Sequence, residues 1–291
     1  MSPSWVYAKG ILNFNPNLAI VNMANQLLKG KKGIIFGALD ESSIAWKVAE
    51  RAHEEGAEIL LTNAPVAMRM GAIQELATRI NAEIVPADAT SMEDIKTLLE
   101  TAAQKFGKVD FILHSIGMSP NVRKGRAYTD LNYDFLVKTY DVSAVSFHKV
   151  MQQAYQMDLM NEWGSIVALS YIAAQRTFGK YNDMAEAKAL LESIARSFGY
   201  HFGKKSKVRV NTISQSPTPT TAGSGVAGFD KMLTYADKMS PLGNASALEC
   251  ADYCISLFSD LTRKVTMQNL MHDGGFSSVG VSEEILENIQ L

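Results

Sequence analysis

Two tyrosines and a lysine near the middle of the chain have residue types and a spacing that could do chemistry. Tyr171 and Tyr181 lie ten residues apart, and Lys188 follows the second tyrosine by seven. If Tyr181 and Lys188 share a helix, their side chains leave one face about 10.5 Å apart along its axis. A phenol with a pKa of about 10 can donate to an oxygen that becomes negative, and an ammonium favours that charge. The alternative is a tyrosine at a helix start and a solvated surface lysine.

Composition and charge exclude several classes of protein. The formal net charge of −2 argues against a nucleic-acid-binding surface, which needs a basic excess on one face. No apolar run approaches the roughly 20 residues that span a bilayer. Cys250 and Cys254 have no further cysteine or paired histidine at metal-ligand spacing, so we expect no metal site and a reducing compartment.

The N-terminus does not match the rest of the chain. Residues 1–22 carry little charge, no basic leading region and no clear cleavage pattern, so they make a poor signal peptide. We expect them to form an extension outside the fold, and Met23 could be the natural start. An intact N-terminus at Met1, measured by mass spectrometry on native protein, would rule out a misassigned start site.

From Lys29 onward, strand-like apolar runs alternate with helical patterns, which predicts one domain over residues 23–291. The fold class is α/β, a Rossmann-type doubly wound parallel sheet. The predicted strands are KKGIIFGA, EILLTNA, AEIVPADAT, VDFILHSIG, GSIVALSYI, VRVNTIS and TMQNLMHDGG. The predicted helices are SIAWKVAERAHEEGAE, MRMGAIQELATRIN, MEDIKTLLETAAQKFG, a long helical region to about Met160, a helix from about Met184 to Phe202, and LECADYCISLFSD.

In such sheets, ligands bind beyond the carboxyl ends of the strands. The first strand ends in GALDESSIAW, where Gly37 and Ala38 would let the backbone approach a pyrophosphate and a helix N-terminus supplies N–H donors. The turn is not a GxGxxG motif. Taken alone it favours a plain strand-to-helix turn, whose serines could cap the helix.

The residues at the ends of the next strands could also contact a bound dinucleotide. The second strand ends in Asn63 and Ala64, where enzymes selective for NAD often have an acidic residue, so the choice between NADH and NADPH stays open. Arg69 could contact a 2′-phosphate or be a solvated helix residue. Asp88 could accept from an adenine amino group or cap a helix. Gly117 could admit a ribose or only make a turn. Because small or hydrogen-bonding residues recur at the ends of successive strands, we favour the interpretation that they bind a dinucleotide.

These motifs occur in one order along the chain: GALDESSIAW, DAT, HSIG, the Ser170–Tyr171 pair, Tyr181 to Lys188, SQSPTPT and HDGGF. From about Gly30 to Ser278 the chain resembles the bacterial enoyl-acyl-carrier-protein reductases, a divergent branch of the short-chain dehydrogenase/reductases. Ordinary members have a TGxxxGxG turn and a Tyr-x-x-x-Lys pair, which this chain lacks at those places. The wider Tyr-x6-Lys spacing and the earlier Tyr171 match the enoyl reductases.

The resemblance implies hydride transfer from NADH to the β-carbon of a trans-2-enoyl thioester, with NADPH as the alternative because Asn63 and Ala64 replace the usual specificity residues. Tyr181 would bond the enolate oxygen, Lys188 would hold the nicotinamide ribose, and Tyr171 would line the acyl site. The implied cofactor contacts are Gly37, Ser43, Ile44, Asp88, Ala89, Ser115, Ile116, Gly117, Lys188, Thr218 and Thr220. The implied substrate contacts are Tyr171, Tyr181, Met184 and Phe229, although packing could explain the last two.

The same resemblance implies a mobile lid at about 214–240, with Thr220 meeting the pyrophosphate and Thr218 the nicotinamide amide. Its implied partner is an acidic acyl carrier protein, yet the lid offers only Lys231 and Lys238 as docking cations. The basic run Lys204 to Arg209 is interpreted as a solvated helix end. A cytoplasmic homotetramer is expected. The competing functions are a carbonyl reductase of the ordinary short-chain type and a dinucleotide-binding protein without turnover.

Overall fold

The sheet is the element that positions everything else. The computed structural model describes residues 25–69, 72–221, 223–225 and 228–287, so the predicted extension at 1–22 lies outside the described residues. Seven parallel strands follow the order β3-β2-β1-β4-β5-β6-β7, which confirms the doubly wound prediction. The strands are β1 Lys32–Phe36, β2 Glu58–Thr62, β3 Glu83–Ile84, β4 Val109–His114, β5 Met160–Ser170, β6 Arg209–Gln215 and β7 Asn269–His272.

Helices cover both faces of this sheet, as buried parallel strands require. The apolar core has two parts: α4, α7 and α8 pack on one face, and α1, α3 and α10 on the other. In the part of the chain that is described, no helix is long and apolar enough to cross a membrane. The helices are α1 Ile44–Glu54, α2 Pro65–Met68, α3 Ala72–Arg79, α4 Met92–Phe106, α5 Pro120–Arg123, α6 Tyr133–Tyr140, α7 Ser146–Gln156, α8 Asn182–Ser206, α9 Phe229–Met239, α10 Ala247–Phe258 and α11 Glu283–Glu287.

Several predicted boundaries were wrong. The long helical region is broken into α5, α6 and α7, with a π-turn at Asp141–Val145 between the last two, and Met160 already belongs to β5. β3 has two residues rather than nine, although the Val85 and Ala87 N–H groups still donate to the carbonyls of Leu61 and Asn63. The helix predicted from about Met184 to Phe202 is longer at both ends.

The solvated helix end predicted for Lys204 to Arg209 is confirmed for its lysines, which are exposed, and wrong for Arg209. Lys207 ends the helix in the left-handed region, with φ of 59°. Arg209 is buried at the start of β6, not solvated. Its guanidinium donates to the carbonyls of Leu257 at 2.8 Å and Ser259 at 3.2 Å. Because β6 must enter the sheet at this point, the arginine satisfies carbonyls at the end of α10 instead of facing water.

The chain reverses its direction of winding between β1 and β4, the neighbouring central strands. Gly37 follows β1 with φ of 96°, and a Cβ there would lie 2.1 Å from the Ser115 carbonyl oxygen that follows β4. Only glycine fits that close approach. Strand ends that meet this tightly define the crevice where open α/β sheets bind ligands.

His114, the last residue of β4, is a buried titratable group beneath that crevice. Its Nε2 lies 2.9 Å from Ser146 Oγ. Because that hydroxyl donates to the Val142 carbonyl at 2.7 Å, the ring nitrogen is the donor of the pair. The Nδ1 atom is buried without a partner among the described residues. Burial first, and then the positive charge of Lys188, lower the His114 pKa to about 3.

This histidine should make folding sensitive to acid. In the unfolded chain the imidazole of His114 binds a proton with a pKa of about 6.5, whereas in the native protein it stays neutral at that pH. The free energy of unfolding therefore falls as the pH drops below about 6.5, by at most about 1.4 kcal/mol per pH unit. We expect the wild type to lose about 1 kcal/mol more than His114→Leu between pH 7 and 5.5. Urea unfolding at four pH values measures the slopes. Equal slopes in the two proteins would contradict the assignment.

Candidate active site

Tyr181 and Lys188 share one helix. Tyr181 is the residue before α8, with helical φ and ψ of −89° and −11°, and Lys188 lies two turns into that helix. Tyr181 and Lys188 therefore lie on a common helix face, as the proposed chemistry of the pair requires. Tyr171 comes directly after β5, so a strand end and a helix start carry the three groups.

The Lys188 ammonium is buried and fixed. Its Nζ donates to the Leu169 carbonyl oxygen at 2.7 Å. Burial lowers the Lys188 pKa to about 8, against an opposing effect of the Glu192 charge. One turn further on, Glu192 accepts from Ser170 Oγ at 2.7 Å. Two adjacent residues of β5 are thus tied to two adjacent turns of α8.

The two phenols lie against each other. The ring centroids of Tyr171 and Tyr181 are 4.9 Å apart with an angle of 54° between their planes, and Phe178 packs 5.3 Å from Tyr171. Burial raises the pKa of both tyrosines above the usual value. Both hydroxyls therefore stay protonated at neutral pH and act as donors. The Tyr171 hydroxyl lies 3.6 Å from the sulfur of Met232 on α9.

Two cavities meet above the switch point of the sheet. The inner cavity, of about 210 Å³, has an apolar end at Met184, Phe229 and Met232 and contains Tyr171, Tyr181 and Lys188. The outer cavity, of about 300 Å³, runs over the turn after β1 towards Asn63. The lining residues common to both are Ile44, Ser115, Ile116, Gly117, Arg123 and Thr220.

Most predicted site residues line these cavities. Gly37 and Ser43 line the outer one, and Thr218 the inner one. Asp88 and Ala89 line neither: the Asp88 carboxylate accepts from the Thr90 backbone N–H at 2.8 Å, and Ala89 packs in the core. Sequence reasoning missed Met118, Ser119, Val122, Arg123, Gln215 and Met232, which belong to the cavity lining.

The turn after β1 suits an anionic ligand. The Ser43 hydroxyl does not cap α1; it donates to the Asp40 carbonyl at 2.7 Å, and α1 has no acidic residue in its first turn. The N–H groups at the start of α1 are therefore free of a side-chain cap, as a phosphate site requires. The two cavities in series beside it would hold a dinucleotide, and the N–H groups at the start of α1 would be available to its pyrophosphate.

The residues considered for the choice between NADH and NADPH either bond to the backbone or do not line the cavities. Asn63 donates from Nδ2 to the Ala38 carbonyl at 3.1 Å and accepts from the Ala64 N–H at 2.9 Å. Arg69 is exposed and lines neither cavity. Within the described ranges, no cluster of three His, Cys, Asp or Glu side chains could hold a metal ion.

Two hydrogen bonds of Thr221, which we call the latch, join the segment predicted to be a lid to the turn after β1. Thr221 Oγ1 donates to Asp40 Oδ2 at 2.5 Å, and the Thr221 N–H donates to Ser42 Oγ at 3.2 Å. Partial burial raises the Asp40 pKa, but hydrogen bonds from Ser42 and Thr221 lower it overall, so the carboxylate is ionised at neutral pH. Residues 214 and 215, at the predicted start of the lid, belong to β6.

Comparisons with known proteins agree with this geometry. The model of the family described as Enoyl-(Acyl carrier protein) reductase matches residues 37–277. Enoyl-[acyl-carrier-protein] reductase [NADH] 1 of Rhizobium meliloti (strain 1021) is 34% identical over 260 residues, 89% of this chain and 94% of the relative. Enoyl-[acyl-carrier-protein] reductase [NADH] FabI of Bacillus cereus is 30% identical over 259 residues, 88% of this chain and all of the relative.

Solved structures give the same result. The FabI–NADH complex from Alistipes finegoldii has a TM-score of 0.89 and 66% identity, covering 91% of this chain and 94% of that chain. Enoyl-[acyl-carrier-protein] reductase (NADH) from Aquifex aeolicus has a TM-score of 0.81 and 32% identity, covering 88% of this chain and 99% of that chain. With a family model matched along most of its length, this chain belongs to the enoyl-(acyl carrier protein) reductase family.

Proposed function

We propose that this chain is an NADH-dependent enoyl-acyl-carrier-protein reductase, which reduces the trans-2 double bond of enoyl thioesters in the fatty-acid elongation cycle. The observation that carries this proposal is the pairing of Tyr181 with Lys188 across two turns of α8, beside Tyr171 and at the inner cavity, in a member of that family. The apolar end of the cavity suits an acyl chain.

When bound, NADH supplies the hydride that reaches the β-carbon of the substrate. The chain's own residues orient the thioester and stabilise the charge that develops on its carbonyl oxygen. Tyr181 donates its hydroxyl proton in a hydrogen bond to that oxygen, and its raised pKa keeps the donor protonated. Lys188 adds positive charge near this point and holds the nicotinamide ribose. Tyr171 packs against Tyr181 and limits where the acyl group lies.

Cofactor choice rests on the adenosine side of the outer cavity. The relatives from Rhizobium meliloti and Bacillus cereus carry NADH in their names. In this chain Arg69, the one cation considered for a 2′-phosphate, does not line the outer cavity, and Asn63 is engaged with the backbone. Both features support NADH over NADPH.

The partner and assembly are proposed on coarser grounds. The acyl carrier protein delivers the thioester, and we place the enzyme in the cytoplasm as a homotetramer. Exposed apolar side chains support subunit contacts: Tyr133 and Val137, four residues apart on α6, are 78% and 64% exposed. Met271 on β7 and Leu248 on α10 are also exposed. Large apolar side chains clustered at a surface are typical of protein interfaces.

Removing the Tyr181 hydroxyl should reduce turnover strongly. Loss of one donor to a developing oxyanion costs about 10² to 10³ in kcat, so Tyr181→Phe should fall by about that factor in NADH oxidation with a trans-2-enoyl thioester. Lys188→Ala should fall sharply too. The matched control is Tyr200→Phe, an exposed tyrosine on the same helix that lines neither cavity. Wild-type reduction of ketones but of no enoyl thioester would instead indicate a carbonyl reductase.

Activity should also depend on the charge of Lys188. The ammonium loses its proton as the pH rises through its lowered pKa of about 8. The neutral amine is a weaker anchor for the ribose and stabilises no negative charge, so kcat/KM for NADH should decline above that pH and stay level below it. A profile from pH 6 to 10 measures the decline. A flat alkaline limb in the wild type would contradict this role.

The latch between Thr221 and Asp40 should hold the cofactor in place. Thr221→Val removes the hydroxyl donor without changing the side-chain volume much, and a hydrogen bond to a charged group is worth about 1.5–3 kcal/mol. We expect NADH to dissociate at least about tenfold faster, measured by stopped-flow fluorescence. The matched control is Thr234→Val on α9, whose hydroxyl bonds only within its own helix. Equal dissociation rates in the two variants would show that the latch does not retain NADH.

A further inference from the structure

Arg123, the last residue of α5, stands at the junction of the inner and outer cavities. It is one of the few residues that line both. Among the lining residues of the two cavities, only Arg123 and Lys188 are charged, and no carboxylate is present. Lys188 is buried and bonded to the Leu169 carbonyl, whereas Arg123 is exposed. Among the described lining residues, the junction therefore has one accessible positive charge and no carboxylate that could neutralise it.

The guanidinium of Arg123 is unpaired within the described residues. Its backbone N–H donates to the Ser119 carbonyl, but no ion pair or side-chain hydrogen bond involves it. The neighbouring cations are engaged: Arg126 lies 3.4 Å from an Asp130 carboxylate oxygen, and Lys124 lies 4.5 Å from the centroid of the Phe135 ring. Of the three cations in this segment, only Arg123 lacks a protein partner.

The backbone that carries Arg123 is rigidly attached to the catalytic helix. Asp183, in the first turn of α8, is fully buried. It accepts from Ser119 Oγ at 2.6 Å and from Asn121 Nδ2 at 2.9 Å. Ser119 in turn accepts from the Val122 N–H at 3.0 Å. The N-terminal half of α5 is thus held against α8. Arg123, which follows it, lines both cavities together with Thr220 and Ile44.

We propose that Arg123 is a phosphate-binding residue that contacts a phosphate group of the bound ligands at this junction. A guanidinium presents a planar fork of donors that matches phosphate oxygens, and it gains most where no protein carboxylate competes. The proposal rests on the proposed function, which brings two kinds of phosphate group to the site: the pyrophosphate of the dinucleotide and the phosphate of the pantetheine arm that carries the acyl group.

The first arm of the test measures NADH binding by fluorescence titration of the full chain, without turnover. A charge-assisted hydrogen bond to phosphate predicts that Arg123→Gln raises the Kd by about tenfold or more. Arg123→Met is a second neutral variant, and Arg123→Lys should recover part of the affinity. The matched control is Arg126→Gln. It removes the same charge from a side chain that is three residues further along the chain and lines neither cavity.

The second arm compares crotonyl-phosphopantetheine with crotonyl-pantetheine, substrates that differ only by the phosphate. A pantetheine contact predicts that Arg123→Gln lowers the ratio of their kcat/KM values by about tenfold while the Kd of NADH is unchanged. A raised Kd with an unchanged ratio assigns the contact to the pyrophosphate instead. If both quantities stay within about twofold of wild type in both neutral variants, the proposal is overturned.

The two arms separate this proposal from the proposed function. Wild-type protein that turns over neither thioester would refute the reductase function, yet the NADH titration would still decide whether Arg123 binds the pyrophosphate of the dinucleotide. Wild-type turnover with unaffected Arg123 variants would refute only the role of Arg123.

Discussion

The hydrogen bond from the Lys188 ammonium to the Leu169 carbonyl oxygen fixes the geometry on which the site depends. A buried cation must be paired, and here its partner is the backbone of β5 rather than a carboxylate. The bond sets the register of α8 along the sheet, and the Ser170–Glu192 bond repeats it one turn later. With strand and helix held this way, Tyr171 just after β5 and Tyr181 just before α8 are brought into ring contact.

The crevice itself follows from the order of the strands. Because the chain winds outward in opposite directions from β1 and β4, their carboxyl ends are left uncovered by a direct connection. Gly37 and the Ser115 carbonyl close the floor of that gap so tightly that no side chain fits between them. The free start of α1 lies beside this floor. The cavities above it are thus a consequence of topology, and the side chains that line them decide the chemistry.

Sequence reasoning recovered the parts of this arrangement that are local. Alternating patterns identified the seven strands, and residues at strand ends, such as Ser115 and Gly117, reached the site because parallel strand ends converge. Asp88 followed a short-range rule instead, bonding to the N–H two residues on, as Asp often does in turns. The contacts that sequence could not show join distant residues: Ser119 to Asp183 across 64 positions and Asp40 to Thr221 across 181. Arg123 was missed because it fell inside a predicted helix that the structure breaks.

The charged groups around the site are arranged so that the positive charge of Lys188 is not neutralised. Glu192, the acid of α8 whose charge acts on Lys188, accepts a hydrogen bond from the hydroxyl of Ser170, and no carboxylate is among the described residues that line either cavity. His114, below the site, is held neutral by burial and by the lysine charge itself, so it adds no second cation that would repel the first. Burying an ammonium under these conditions costs stability, as its lowered pKa indicates. That cost is borne by a cation that lines the same cavity as Tyr181 and Tyr171.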